Sequence, residues 1–107
     1  MDLLWENASP EISFVPQTVS LDLSNYKLVL IYFERTTDRN YYDSDITLIH
    51  SAGCLIGAGH DTFTYRYYTV NYNGVHFDEA HLLNTPNFNG SNEVNYCSIP
   101  INIYGIK

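Results

Sequence analysis

Four histidines, His50, His60, His76 and His81, stand near Asp61, Asp78 and Glu79, and imidazole with carboxylate is the ligand set that zinc and its neighbours prefer. The spacing argues against such a centre. His76 and His81 are five residues apart, which is neither the i, i+4 pair of a helical zinc site nor the even spacing that puts two residues on one face of a strand. Ordinary surface or hydrogen-bonded histidines are expected, with no metal and no cofactor. Nucleophilic chemistry finds as little support. The chain has no Gly-x-Ser-x-Gly elbow, and neither Cys54 nor Cys97 sits in the basic, helix-terminal setting that lowers a thiol pKa. Asp43 with Asp45 and Asp78 with Glu79 are the acid pairs that glycoside hydrolysis would require, but neighbouring acids in polar stretches are usually solvated. A protein without a catalytic step is expected.

The aromatic residues carry more. Ten Tyr and five Phe stand among 107 residues of which only 16% are charged. An exposed tyrosine offers a flat apolar face and a hydroxyl to a sugar or a partner surface. Tyr65, Arg66, Tyr67, Tyr68 and Tyr72 fall on one hairpin, Tyr41 and Tyr42 in a stretch before it, and Asn87 and Asn89 in an Asn-rich stretch after it. Tyr41, Tyr42, Arg66, Tyr68, Tyr72, Asn87 and Asn89 are therefore the candidate binding residues. About half of these tyrosines are expected to face the core or a neighbouring subunit. Between Phe63 and Tyr67 the aromatics occupy odd positions, and from Tyr68 to Tyr72 the apolar residues occupy even ones. That shift predicts a bulge or a strand covered on both sides, and a homo-oligomer would supply the second cover.

The element that must position these residues is Leu28–Phe33, six apolar residues between Lys27 and Glu34. Its aromatic and β-branched content predicts a central strand, with Leu28, Leu30 and Tyr32 on one face and Val29, Ile31 and Phe33 on the other. One face must meet the main core, the other a loop, a smaller cluster or a neighbouring subunit. Gln17–Leu23 alternates as a strand with one wet face, Thr62–Tyr72 reads as a strand, and Asn73-Gly74 predicts a hairpin turn of the I′ type. Phe14 or Val15 is expected to tuck inward, and Trp5 to anchor the N-terminal segment. Arg35–Asp45 reads as a loop, and Ser51-Ala52-Gly53 as a break between two short strands. Asp78–Asn95 reads as a long ordered loop with one helical turn near Glu79–Leu83. Near the end, Ile99, Ile101 and Ile103 share a face, and Pro100 marks an edge or a bulge. Short strands spaced by turns, with no amphipathic helix between them, predict an all-β fold over residues 1–107, a single domain built as an antiparallel β-sandwich or jelly-roll.

The net charge of −7, with only five Lys and Arg, excludes an electrostatic grip on nucleic acid or an anionic membrane. Asp2 and Glu6 stand where a secretory signal would carry basic residues, and no apolar run approaches the length of a membrane span. Cys54 and Cys97 read as small core residues more readily than as a disulfide.

Four fragments together resemble a known type of domain. They are Leu3-Leu4-Trp5-Glu6-Asn7-Ala8-Ser9-Pro10, Gln17-Thr18-Val19-Ser20-Leu21-Asp22-Leu23-Ser24, Asn73-Gly74-Val75-His76-Phe77 and Ile101-Asn102-Ile103-Tyr104-Gly105-Ile106-Lys107. In this order they resemble the small C-terminal β domain of bacteriophage and prophage tail-fibre and minor structural proteins of Gram-positive and gut bacteria. The resemblance implies a non-enzymatic structural or host-recognition module in the virion tail, made in the bacterial cytoplasm without a signal peptide. It implies a homo-oligomer, a trimer above all, with a host cell-surface glycan or other tail proteins as partners. A free-standing bacterial carbohydrate-binding module, holding its ligand through Tyr41, Tyr42, Tyr68 and residues 87–92, is the alternative.

Overall fold

A computed structural model describes residues 1–36, 41–58, 62–84, 89–90 and 94–107. Its strands are β1 (Asp2–Glu6), β2 (Gln17–Ser20), β3 (Leu28–Thr36), β4 (Tyr42–Leu48), β5 (Ala52–Ala58), β6 (Thr62–Asn71), β7 (Gly74–Asn84), β8 (Asn89–Gly90) and β9 (Cys97–Ile106). Every pairing is antiparallel. One sheet has the order β1-β9-β3-β4 and the other β2-β7-β6-β5, with the short β8 also paired to β7. The two pack face to face as an antiparallel β-sandwich, the class that the aromatic, turn-punctuated sequence predicts.

Val29, Ile31 and Phe33 on β3 meet Ile99, Ile101 and Ile103 of β9 and, from the opposite sheet, Leu55, Tyr68, Val70, Val75 and Phe77. Phe14 reaches this cluster from the connection between β1 and β2, edge-on to both Trp5 and Phe77, while Val15 beside it is exposed. β3 is central, as expected, but its faces differ. Leu28 and Leu30 on the outer face are half-buried and Tyr32 is exposed, so among the described residues no second layer covers them. Pro100 lies inside a central strand beside a register shift, so it marks a bulge and not an edge.

Several boundaries differ from expectation. β3 runs on to Thr36 and β4 starts at Tyr42, which shortens the expected Arg35–Asp45 loop from both sides. Ala52 and Gly53 continue into β5 without a break. Gly53 is there because a side chain at that position would run into the Tyr68 ring and hydroxyl. The expected loop and helical turn at Glu79–Leu83 are strand, since β7 pairs with β6 as far as Asn84. The hairpin connection is Tyr72-Asn73, and neither residue has positive φ, so the turn is not type I′. Gly74 instead carries the unusual backbone, φ +145°, where any β-carbon would collide with the carbonyl oxygen of Val19 on β2.

The expected bulge is present, but its extra residue belongs to the partner strand. Arg66 pairs with Ala80 and Tyr68 with Phe77, leaving Tyr67 opposite both Asp78 and Glu79. Within β6 itself the alternation never changes. Thr64, Arg66, Tyr68 and Val70 are buried, and Phe63, Tyr67 and Thr69 point out. The aromatic residues at odd positions thus face outward, and an arginine takes an interior place.

Arg66 is fully buried. Its Nε donates to Ser98 O (3.0 Å), Nη1 to Asp78 O (2.7 Å), and Nη2 to Cys97 O (3.2 Å) and Asn95 O (3.3 Å), and the guanidinium carbon lies 5.2 Å from the Phe14 ring centre. Ser98, in a left-handed conformation with φ 46°, adds hydrogen bonds from Oγ to Leu55 O (2.9 Å) and Thr64 Oγ1 (3.1 Å). These contacts join β6 and β5 to the start of β9. Replacing Arg66 by Met should destabilise the chain by about 3 kcal/mol or more, because it removes four hydrogen bonds from a buried guanidinium to backbone carbonyls. Arg66→Lys should recover less than half of that loss, since one ammonium cannot fork to four carbonyls. Urea unfolding of the three proteins measures both.

Candidate functional site

The candidate binding residues do not converge. Arg66 and Tyr68, expected to be offered to a ligand, are both interior: Arg66 donates to backbone carbonyls, and the Tyr68 ring packs on Phe77 while its hydroxyl donates to Asp45 Oδ2 at 2.7 Å. Even-numbered positions of β6 point inward, which removes both from solvent. Tyr41 and Tyr42 are exposed where β4 begins, Tyr41 under the Arg35 guanidinium at 4.0 Å and Tyr42 stacked on Tyr32 at 5.5 Å. Tyr72 is exposed at the opposite end, in the β6–β7 hairpin, edge-on to His50 at 4.2 Å. Asn87 lies outside the described residues, and Asn89 is described only as backbone in β8.

Strand directions do bring together the strand ends that flank the polar stretches. Thr36, Tyr42, Ala58, Thr62, Asn84 and Cys97 all stand at one end of the sandwich, tied by the pairing of Thr36 with Cys97 and the approach of the Arg35 side chain to Gly57. The connections after β3, β5 and β7 therefore leave from a common rim.

Two surfaces stand out that the sequence reading did not assemble. The first is the outer face of the β1-β9-β3-β4 sheet. Register aligns Leu3, Tyr104, Leu30 and Ile46 in one row across all four strands, and Ile106, Leu28 and Leu48 in the next. Leu3 is 52% exposed, Ile46 52% and Leu48 60%, with Tyr32 and Tyr42 extending the patch towards the rim. On β4 the usual polarity is reversed, since Asp45 and Thr47 point inward while Ile46 and Leu48 point to solvent. Both rows were legible as strands, but only the pairing register shows that they form one continuous surface.

The second is the outer face of the other sheet. The bulge at Asp78 and Glu79 turns the five-residue spacing of His76 and His81 into a same-face placement, a correction to the expectation from strict alternation. His76 Nδ1 is 2.7 Å from Thr18 Oγ1, and its Nε2 is 3.4 Å from Asp78 Oδ1. His81 Nε2 is 3.6 Å from Glu79 Oε1, and its ring stacks on Tyr65 at 5.1 Å. A hydroxyl, an imidazole and a carboxylate in line have the parts of a nucleophile and its base. Here they sit half-exposed on an open sheet, where neither a dry cavity nor converging donors would steady a developing charge, and their effect is to fix the His76 ring between β2 and β7. No group of three or more His, Cys, Asp or Glu among the described residues is placed to hold a metal ion.

Cys54 and Cys97 are free thiols; burial pushes Cys54 above its usual pKa and Cys97 up to about 11, the latter despite the opposing charge of Arg66. The chain matches no protein-family model, no curated protein and no solved structure.

Burial, followed by the hydrogen bond to Asp45, pushes the Tyr68 hydroxyl well above the usual phenol range. The folded state therefore holds that proton more tightly than the unfolded one, and the stability it contributes is complete below about pH 10 and falls as pH rises beyond. Melting temperature measured from pH 8 to 11 should drop more steeply for the native chain than for Tyr68→Phe. That variant should begin lower, having lost a buried hydrogen bond.

Proposed function

We propose that the chain is a non-enzymatic structural or host-recognition module of a phage or prophage tail, and that it joins further copies of itself through the outer face of the β1-β9-β3-β4 sheet. The tail setting comes from the resemblance of the fragments at both ends and around the hairpin. What supports assembly is the bare apolar face running across all four strands. Leu3, Tyr32, Tyr42, Ile46 and Leu48 are all exposed there, and a contiguous exposed apolar patch of this kind marks an interaction surface.

The chemistry of the face suits a second copy better than a charged partner. Its two aligned rows hold Leu, Ile and Tyr, so no like charges meet at the centre although each chain carries −7 overall. A flat patch meets itself most fully across a two-fold axis. The trimer that the resemblance implies instead requires the face of one copy to take the margin of the next.

Light scattering at about 50 µM, a concentration that detects micromolar dissociation constants, should give two or three chain masses. Higher salt should strengthen the association, because screening removes repulsion between acidic copies without weakening apolar contact. Ile46→Lys with Leu48→Lys should return one chain mass and leave the melting temperature nearly unchanged, since both side chains are exposed on an edge strand. A single chain mass for the native protein overturns the reading.

A further inference from the structure

We infer that the shallow groove across the β7 bulge binds the ring of a neutral sugar. It lies on the outer face of the β2-β7-β6-β5 sheet, away from the assembly face, with a volume of about 360 Å³ lined by Pro16, Tyr67, Asp78, Glu79 and His81. The bulge builds it. Because two residues of β7 oppose Tyr67 alone, Asp78 and Glu79 both come to lie beside that ring. Pro16, just before β2, lines the groove from the strand on the other side of β7.

A pyranose has an apolar face of C–H groups and a rim of hydroxyl donors. Tyr67, 56% exposed, offers a flat ring of matching size. It is held in place before any ligand arrives. Tyr65 packs edge-on against it at 5.9 Å, Tyr65 itself lies on the His81 ring, and His81 approaches Glu79. Preorganisation of this kind lowers the ordering cost that limits weak sites. The carboxylates of Asp78 and Glu79 accept hydrogen bonds from sugar hydroxyls, and a bond to a charged acceptor is stronger than a neutral one. Among the described residues no Lys or Arg lines the groove, so phosphorylated and acidic sugars meet repulsion there while neutral ones do not. The volume suits one ring with its substituents.

This inference rests on the recognition half of the proposed function and is independent of assembly. The test is a titration of the full ¹⁵N-labelled chain with the methyl glycosides of glucose, galactose, mannose and N-acetylglucosamine. Glucuronate serves as the acidic counterpart, and the mass of the chain is measured on the same samples. At least one neutral glycoside should shift the amide signals of Tyr67, Asp78, Glu79 and His81 saturably, with a dissociation constant on the order of millimolar. Glucuronate should not. Tyr67→Ala should weaken binding at least about tenfold and Glu79→Gln by a smaller factor, both with well-dispersed spectra, because these side chains are exposed. Ser44→Ala, exposed on β4 of the other sheet, should leave binding unchanged. The inference is overturned if no glycoside shifts these signals at about 50 mM, a limit far above the expected constant. Equal binding of glucuronate, or retention of affinity by Tyr67→Ala, overturns it as well. A chain that assembles but takes no sugar leaves the assembly reading standing, and one that takes sugar as a monomer does the reverse.

Discussion

The guanidinium of Arg66, closed off from water between the two sheets, is the interaction on which the remaining structure depends. A buried cation is costly unless its hydrogen bonds are met. Here its nitrogens donate to the backbone carbonyls of Asp78, Asn95, Cys97 and Ser98. Those carbonyls belong to places where regular pairing fails: the β7 bulge, the approach to β9, and a serine with left-handed backbone. Arg66 supplies donors to all of them, and at Asn95 it shares the oxygen with the Phe14 N–H (2.8 Å). Arginine suits the task because its fork is planar and its donors point in fixed directions. The Ser98 hydroxyl extends the network to Leu55 and Thr64, so the start of β9 is bound to the opposite sheet by polar bonds as well as by packing.

Placing Arg66 and Thr64 inside has a consequence for the surface. Alternation along β6 obliges Phe63, Tyr65 and Tyr67 to point outward, and the same reversal on β4 sends Ile46 and Leu48 to solvent while Asp45 turns in to meet Tyr68. The interior polar network and the exposed apolar surfaces are thus one feature seen from two sides. A sandwich that needed only solubility would distribute these residues the other way round.

Much of the fold was legible in the sequence. The run Leu28–Phe33 forms a central strand, Gln17–Ser20 and Thr62–Asn71 form strands, and the turn signals predict two antiparallel sheets. The failures share a cause. Periodicity did not tell which tyrosines of the hairpin face the core, and Arg66 and Tyr68 read as offered to a ligand, whereas both lie inside and Tyr67 points out. The adjacent acids Asp78 and Glu79 broke the alternation of β7 and read as a loop, although a bulge accommodates them inside a continuous strand. Of the candidate site, Tyr41, Tyr42 and Tyr72 are exposed as expected, but at opposite ends. The groove around Tyr67 could not be read from spacing, because the register shift that brings Asp78, Glu79 and His81 together depends on pairing between strands far apart in sequence. An odd interval between two histidines on one strand, spanning two acids, was the available signal.

The bulge also explains how one small domain can present two different faces. On the β1-β9-β3-β4 sheet the register shifts, after Leu3 on β1 and between Tyr32 and Phe33 on β3, flank the rows Leu3-Tyr104-Leu30-Ile46 and Ile106-Leu28-Leu48, which stay aligned as an apolar surface. On the other sheet, one extra residue in β7 breaks the rows and brings carboxylates beside an aromatic ring, which gives a concave and acidic surface suited to a small polar molecule. Arg66 touches this irregularity from within, through the Asp78 carbonyl, while on its outer side the bulge sets Asp78, Glu79 and His81 beside Tyr67, so the buried arginine supports that outer surface without reaching it.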